Sequence, residues 1–191
     1  VEVFSWDKIC SSQSEKFFFE KSCAITIGVF DGIHIGHREL LGEVIKKKES
    51  GFHAGVVTFT DSIFEFFKQT EKPLMTMEER LSRFEKMGID FVILIDFTKE
   101  IADIEGTDFL KLLKSKVNLS LLVEGEDFCF GAGGKTGMNE ISEYCEKNKI
   151  KVSFVPPVLD EGKRVSSSMI RALLKEGEVN KARNLITWQK I

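Results

Sequence analysis

The sequence predicts an α/β fold, with a Rossmann-like, mostly parallel sheet and helices on both faces. Two observations lead to this prediction. Short apolar segments of strand length alternate along the chain with longer segments whose apolar residues recur at helical spacing. Strands that alternate with helices form crossover units, which make successive strands parallel and place helices against the sheet. With 191 residues and 42% hydrophobic content, the chain can bury one core of ordinary size, so we expect one domain.

Six segments have the pattern of strands. They are short, apolar or alternating, and most are bounded by glycine, proline or polar residues. Residues 11–14, which separate the first two, are rich in turn-forming residues. In chain order, the predicted strands are residues 1–4 at an edge of the sheet, 24–29, 54–59, 91–95, 119–124 and 151–155.

Five segments have the pattern of helices. The first ends at Ser50 and Gly51, where glycine permits the chain to leave the helix. Thr76 and Glu79 have the spacing of a capping box at the start of the second, and Gly88 fits its end. In chain order, the predicted helices are residues 39–49, 76–87, a segment that begins at Thr107, 139–148 and 168–177.

Composition and charge argue against several classes of partner. The formal charge of -3 and the isoelectric point near 5.8 disfavour nucleic acid and anionic membrane surfaces, which attract basic proteins. No apolar run approaches the length of a bilayer span, and residues 1–20 lack the pattern of a signal peptide. We therefore expect a cytoplasmic protein without membrane association. Nothing in the composition indicates an oligomeric state.

The cysteines predict free thiols. Four are present without a C-x-x-C pair, and the chain has only three histidines to join them in a metal site. Free thiols in a reducing cytosol therefore fit better than disulfides or a structural zinc site, and no protein-built metal site is expected. The cysteines are Cys10, Cys23, Cys129 and Cys145.

The segment of residues 24–37 is the main functional signal. It passes from a strand pattern to a helix start through three glycines, which suit a sharp turn or close approach to a ligand. A helix that starts here points unpaired N–H groups and the positive end of its dipole at a ligand such as a polyphosphate. His34 and His37 are three residues apart, so one helical turn would let both imidazoles donate to that anion. A simpler interpretation is that Asp31 caps the helix and the histidines only fill the turn.

A second glycine-rich segment covers residues 131–137. Its Gly134-Lys135-Thr136 suggests a P-loop, but that pattern needs a glycine where Cys129 stands. No G-x-G-x-x-G follows a predicted strand either. We interpret the segment as a loop that is flexible or covers a substrate.

Three stretches together resemble one enzyme family. Residues 28–37, Gly-Val-Phe-Asp-Gly-Ile-His-Ile-Gly-His, contain the H-x-G-H signature of the nucleotidyltransferase superfamily. Residues 122–131, Leu-Val-Glu-Gly-Glu-Asp-Phe-Cys-Phe-Gly, are similar to the V-G-x-D/N-F-x-F-G segment of bacterial FAD synthetases. Residues 165–171, Val-Ser-Ser-Ser-Met-Ile-Arg, are similar to their V-S-S-T-x-I-R. Over residues 24–186 the chain resembles the FMN adenylyltransferase domain of the bifunctional riboflavin kinase/FMN adenylyltransferase family.

The resemblance implies that the chain transfers AMP from ATP to FMN, giving FAD and pyrophosphate, with Mg²⁺ bridging the ATP phosphates. Arg171 would take the leaving pyrophosphate with its planar fork of donors, and the serines before it would also cap a helix. The implied residues are, as catalytic, His34, His37 and Arg171; as ATP-binding, Gly28, Phe30, Asp31, Gly36, Ser166, Ser167 and Ser168; and as flavin or nucleotide contacts, Asp127, Phe128 and Phe130.

The sequence also departs from the family pattern. Residues 60–63 lack the His-Pro that usually follows the second strand, and Ser168 replaces the usual threonine. The chain ends at Ile191 without the riboflavin kinase domain that commonly follows, so we expect residues 1–191 to be the adenylyltransferase domain alone. Two alternatives stay open: a nucleotidyltransferase for a different phosphate acceptor, and a non-catalytic module that binds flavin or nucleotide.

Overall fold

The computed structural model describes residues 1–11 and 18–186. Its strands are β1 (Glu2–Ser5), β2 (Phe18–Ile27), β3 (His53–Phe59), β4 (Phe91–Ile95), β5 (Val117–Gly125), β6 (Lys151–Val155), β7 (Leu159–Asp160) and β8 (Lys163–Arg164). The first six form one sheet in the order β1-β4-β3-β2-β5-β6, and every pairing within it is parallel. Strands β7 and β8 form a separate antiparallel hairpin.

Helices cover both faces of the sheet. They are α1 (Trp6–Ser11), α2 (Ile35–Lys46), α3 (Ser62–Phe66), α4 (Met77–Met87), α5 (Lys99–Ala102), α6 (Gly106–Lys116), α7 (Met138–Lys147), α8 (Ser167–Lys175) and α9 (Val179–Ile186). Buried side chains of α1, α6 and α7 pack on one face, and those of α2 and α4 pack on the other. The predicted α/β architecture is therefore confirmed. Within the described residues, no helix has the length and apolar character needed to cross a bilayer.

The strand order creates a crevice beside β2. This strand pairs with β3 on one side and with β5 on the other, so the chain reverses its direction of winding there. At such a switch point the connections leave in opposite directions, and a gap opens beyond the carboxyl ends of the strands. The segment that follows β2 carries the two histidines, and the segment that follows β5 carries the Asp-Phe-Cys-Phe sequence. The topology therefore brings two of the three quoted motifs to one place.

Most predicted elements are present, with shifted ends. The edge position of β1 is as predicted, and α4 ends at Met87, before Gly88, as its capping signals indicate. The first predicted helix is α2, which begins at Ile35, earlier than expected, because a histidine caps it. Sequence reasoning did not predict α1, α3, α5, α9 or the β7–β8 hairpin; of these, α3, α5 and the hairpin are too brief to show a period. Residues 12–14 of the predicted turn lie outside the described residues.

The capping box of α4 provides a test of local stability. The Thr76 hydroxyl accepts from the Glu79 N–H at 3.2 Å, and the Glu79 carboxylate accepts from the Thr76 N–H at 2.8 Å. We expect Thr76→Ala to lower the free energy of unfolding by about 1 kcal/mol, since it leaves an N-terminal N–H unpaired. Urea unfolding measures this change. Thr70→Ala is the matched control, because Thr70 is exposed and lies outside the helices and strands; an equal loss in both variants would contradict the role of the cap.

Candidate active site

Two adjoining cavities open beyond the carboxyl ends of β2 and β5. The larger, of about 450 Å³, is here named the aromatic chamber because seven phenylalanines line it: Phe30, Phe59, Phe67, Phe97, Phe109, Phe128 and Phe130. The smaller cavity, of about 280 Å³, is named the polar cleft. It lies between the start of α2, the end of β6 and the start of α8. The residues that line only this cavity include His34, Gly36, Pro157, Ser166 and Ser168. Six residues line both cavities and define the junction: His37, Leu40, Gly125, Asp127, Arg164 and Ser167.

The turn that enters α2 is held in an unusual backbone conformation. Phe30 and Ile33 have φ values of 54° and 40°, and Gly32 between them has 83°. Non-glycine residues rarely adopt such values, and clusters of them mark ligand-binding turns. The turn is fixed from below by Arg80 of α4, which is fully buried and donates to the carbonyls of Val29 and Phe59 at 2.9 and 3.2 Å. The strained turn is therefore anchored to the core.

The two histidines of this turn form one stacked unit. His34 is the N-cap of α2, and its Nδ1 accepts from the His37 N–H at 3.3 Å. The two rings stack with their centroids 3.7 Å apart, and the His37 ring meets the edge of Phe30 at 5.2 Å. A Cβ on Gly36 would approach the His34 ring to 3.3 Å, so glycine keeps this contact open. The cap of α2 is therefore His34 and not Asp31.

The surroundings of both imidazoles favour their neutral form near pH 7. Burial, with smaller contributions from the nearby cations Arg164 and Arg38, lowers the pKa of His34 to about 4. Burial, together with His34 and Arg164, lowers the pKa of His37 well below its ordinary value. Because His34 uses Nδ1 as an acceptor, its ring proton is on Nε2. The pair therefore offers N–H donors to an anion without carrying charge.

This protonation state predicts how stability depends on pH. The unfolded chain binds a proton at His34 near pH 6.5, whereas the folded chain does not bind it until about pH 4. Between these values the unfolded state holds more protons, so stability falls as the pH decreases, by up to about 1.4 kcal/mol per pH unit for one histidine. We expect His34→Asn, which keeps a favourable cap, to remove that part of the slope. Urea unfolding at pH 4.5, 5.5, 6.5 and 7.5 measures the slope, and equal slopes in both proteins would contradict a neutral His34.

Asp31 connects the turn to α8. Its carboxylate accepts from the Leu74 N–H at 2.8 Å and pairs with the Arg171 guanidinium, and its backbone carbonyl accepts from the Ser167 hydroxyl at 2.8 Å. Burial raises the pKa of Asp31, and Arg171 partly offsets this effect. The Arg171 side chain does not line either cavity, and its Nε lies 3.5 Å from Glu71. Arg171 therefore lies outside both cavities and supports the turn by holding Asp31.

The start of α8 lies beside the start of α2. Ser166 is the N-cap of α8, and its hydroxyl accepts from the Met169 N–H at 3.2 Å, so the predicted capping role is confirmed. Ser167 belongs to the junction, and Ser168 is exposed in the polar cleft. Two helix N-termini thus border the same region, and both direct partial positive charge toward an anion placed between them.

The remaining predicted residues lie in or beside the aromatic chamber. Gly28, Phe30 and Asp31 line the chamber and not the polar cleft, whereas Gly36 lines the cleft. Phe128 and Phe130 stack at 5.2 Å in the chamber wall. Gly131 and Gly134 of the second glycine-rich segment also line it, and the backbone of that segment is tied to Ile104 through Ala132 at 2.8 Å. The interpretation as a substrate-covering loop is consistent with this position.

Sequence reasoning missed two charged residues of the site. Arg164, on β8, lines the junction and pairs with the Asp127 carboxylate. Its place immediately before the Val-Ser-Ser-Ser segment is a signal that was present in the sequence. Glu124 is fully buried at the end of β5 and lines the aromatic chamber, and a charged residue ending an apolar strand is also a recognisable signal.

Metal-binding groups are few in the described residues. No cluster of three or more His, Cys, Asp or Glu side chains there has the geometry to hold a metal ion. Two carboxylates of the site are engaged with arginines, Asp31 with Arg171 and Asp127 with Arg164. The four cysteines are free thiols, as predicted.

Comparisons with known proteins fit this arrangement. A family model described as FAD synthetase matches residues 17–169. A bifunctional riboflavin kinase/FMN adenylyltransferase from Buchnera aphidicola subsp. Schizaphis graminum is 29% identical over 168 residues, which are 85% of this chain and 54% of the relative. An FAD synthetase from Listeria monocytogenes is 28% identical over 172 residues, 87% of this chain and 69% of the relative. The chain spans about half to two thirds of the length of these relatives.

Solved structures show the same fold. A protein from Streptococcus pneumoniae described as a macrolide-efflux protein has a TM-score of 0.80 at 24% identity, covering 97% of this chain and 60% of that one. A pantoate-β-alanine ligase from Francisella tularensis, complexed with beta-gamma ATP and β-alanine, has a TM-score of 0.53 at 13% identity, covering 100% of this chain and 90% of that one. At these identities the likeness concerns the fold alone.

Proposed function

The chain belongs to the FAD synthetase family, and on that premise we propose that residues 1–191 act as an FMN adenylyltransferase that converts ATP and FMN into FAD and pyrophosphate. One observation carries the proposal: an apolar, aromatic chamber and a polar cleft meet at a shared junction. The flat flavin ring suits the chamber, and the nucleotide suits the cleft. Their phosphates would then meet at the junction, beside His37 and Arg164.

The chemistry asks for placement and charge neutralisation more than for proton transfer. An oxygen of the FMN phosphate attacks the α-phosphorus of ATP, a new P–O–P bond forms, and the bond to the leaving pyrophosphate breaks. The attacking phosphate is already an anion near neutral pH, so no general base is needed. Holding the two phosphates in line and stabilising the charge that develops supplies the rate enhancement.

The proposed roles follow from where the side chains lie. His34 and His37, as neutral N–H donors, and the N-termini of α2 and α8 would hold the ATP phosphates. Arg164 is the cation of the junction and would exchange its contact with Asp127 for a phosphate oxygen. Arg171 lies outside both cavities and holds Asp31 through one nitrogen; the leaving pyrophosphate is the proposed partner of another of its nitrogens, which the side chain would have to turn toward the junction.

Magnesium is proposed to enter with ATP. Mg²⁺ is usually held mainly by phosphate oxygens and water, with few protein ligands. Bound there, the ion would neutralise phosphate charge. We also propose the cytoplasm as the site of the reaction, because free thiols suit a reducing compartment.

The test is incubation of the purified chain with Mg²⁺, ATP labelled in the α-phosphate, and FMN, followed by chromatography of the products. We expect FAD and pyrophosphate from FMN, and no FAD from riboflavin. Parallel reactions with phosphopantetheine and nicotinamide mononucleotide test the alternative that the acceptor is a different phosphate. FMN binding without release of pyrophosphate would favour the non-catalytic module.

A further inference from the structure

Glu124 is a buried acidic residue for which the proposed mechanism has no role. Its side chain is 0% exposed although the residue lines the aromatic chamber. One carboxyl oxygen, Oε1, accepts from the Ile27 N–H at 2.8 Å, which joins the carboxyl ends of β2 and β5. The other, Oε2, is buried and has no hydrogen-bond partner among the described residues. No described cation forms an ion pair with Glu124.

Contacts within the fold satisfy only one of the two oxygens of this carboxyl group. The Ile27 N–H needs one acceptor, and Oε1 supplies it. A second buried oxygen without a partner is costly, and native proteins usually satisfy such atoms with a ligand, water or another side chain. Glu124 is one of the residues that line the largely apolar and aromatic chamber, so a ring system bound there is the partner that we consider for Oε2.

We infer that Glu124 determines specificity for the flavin ring, with Oε2 forming a hydrogen bond to the polar edge of that ring inside the aromatic chamber. This inference rests on the proposed function, because it takes FMN as the occupant of the chamber. The rest of the chamber recognises flatness and apolar area, which many ring systems share. The hydrogen bond from Glu124 distinguishes a ring with a hydrogen-bonding edge from a ring without one.

The direction of the hydrogen bond follows from the state of the carboxyl group. Burial raises the pKa of Glu124 well above its ordinary value, which favours the neutral, protonated form of the carboxyl group. With Oε1 accepting from Ile27, the proton is on Oε2, and Glu124 donates. The carbonyl oxygens and ring nitrogens of the flavin are suitable acceptors.

Other titratable groups surround the same space. Cys145 of α7 interacts electrostatically with Glu124: burial raises the pKa of that thiol to about 11, with a smaller contribution from Glu124. The groups that face the chamber from the other elements are Asp31 after β2, His37 of α2, Asp127 and Cys129 after β5, and Arg164 of β8. A pH effect must therefore be assigned by comparison with a variant at position 124, in which all of these groups are unchanged.

The experiment measures FMN binding by quenching of flavin fluorescence, in the full 191-residue chain and in three variants. Glu124→Gln keeps an acceptor for Ile27 and a donor for the ring, Glu124→Leu removes both, and Glu126→Gln changes an exposed carboxylate that lines neither cavity. We expect Glu124→Leu to raise the Kd for FMN about tenfold or more, since a polar edge of the ring is left unpaired. Glu124→Gln should stay within about threefold of the unchanged chain, and Glu126→Gln should match it.

A pH series provides the second readout and does not depend on how well the leucine variant folds. As the pH rises through the raised pKa of Glu124, the unchanged chain loses its donor and binds FMN more weakly, whereas the glutamine variant does not. The Kd for FMN of the unchanged chain, divided by that of the Glu124→Gln variant, should therefore increase at alkaline pH. A constant ratio, or equal losses in the glutamine and leucine variants, would overturn the inference.

The outcomes separate this inference from the proposed function. Tight FMN binding without FAD formation would contradict the proposed reaction, and the variants would still decide the role of Glu124. If the unchanged chain does not bind FMN, both proposals fail. An unchanged KM for ATP in Glu124→Leu is expected, because Glu124 does not line the polar cleft; an ATP-specific loss would assign the residue to the nucleotide instead and overturn the inference.

Discussion

His37→Ala is expected to reduce kcat for FAD formation at least about a hundredfold, on the order of 3 kcal/mol of lost transition-state stabilisation. His37 lies in the junction of the two cavities, where the phosphates of both substrates would meet. Its ring is stacked on His34 at 3.7 Å and braced by Phe30, so the donor is held in place before substrate binds. A preorganised donor of this kind contributes most in the transition state, where charge moves to the leaving pyrophosphate.

The fold is expected to survive this change. The His37 side chain is half-buried, and the N–H that ties the first turn of α2 to the His34 ring belongs to its backbone and remains. The assay is the initial rate of FAD formation with both substrates saturating, together with thermal unfolding. His53→Ala is the matched control, since His53 begins β3 at the opposite end of the sheet. A near-wild-type rate in His37→Ala would contradict its role as a phosphate donor.

The parts of the fold that sequence reasoning predicted are those set by local chemistry. The limits of α4 follow from Thr76, Glu79 and Gly88, which act within one helical turn of each end. The start of α2 was placed too late because its cap is His34, a residue outside the usual capping set, and only the structure shows its Nδ1 accepting from His37. The spacing of apolar residues and the composition therefore locate a helix well, but they predict its ends only where the usual capping residues are present.

The candidate site also has parts that the sequence could predict and parts that it could not. The motifs around His34 and Ser166 could be found because each is a short contiguous segment. The pairing of Arg171 with Asp31 joins residues 140 positions apart, and the pairing of Arg164 with Asp127 depends on a hairpin too short to predict. A sequence spacing cannot reveal which carboxylate a given arginine meets. The proposed role of Arg171 must therefore be tested together with its partner.

Arg171→Ala is expected to lower the free energy of unfolding by about 3 kcal/mol and to reduce FAD formation at least about a hundredfold. The side chains of Arg171 and Asp31 are 11% and 4% exposed, so removing the cation leaves a buried carboxylate that keeps only the Leu74 N–H. Breaking a buried pair from one side costs far more than breaking an exposed one. Lys175→Ala is the matched control, because Lys175 lies one turn further along α8, is 69% exposed and pairs with Glu71.

A second substitution separates the structural effect of Arg171 from a direct one. Asp31→Asn removes the buried charge and keeps an oxygen for the Leu74 N–H, so Arg171→Ala with Asp31→Asn should recover more than half of the lost stability. If Arg171 also contacts the leaving pyrophosphate through the nitrogen that Asp31 does not use, the double variant stays inactive while it is stably folded. Urea unfolding and the rate of pyrophosphate release measure the two effects separately. Recovery of activity along with stability would contradict the leaving-group role, and Arg171 would then act only by holding Asp31 and the strained turn in place.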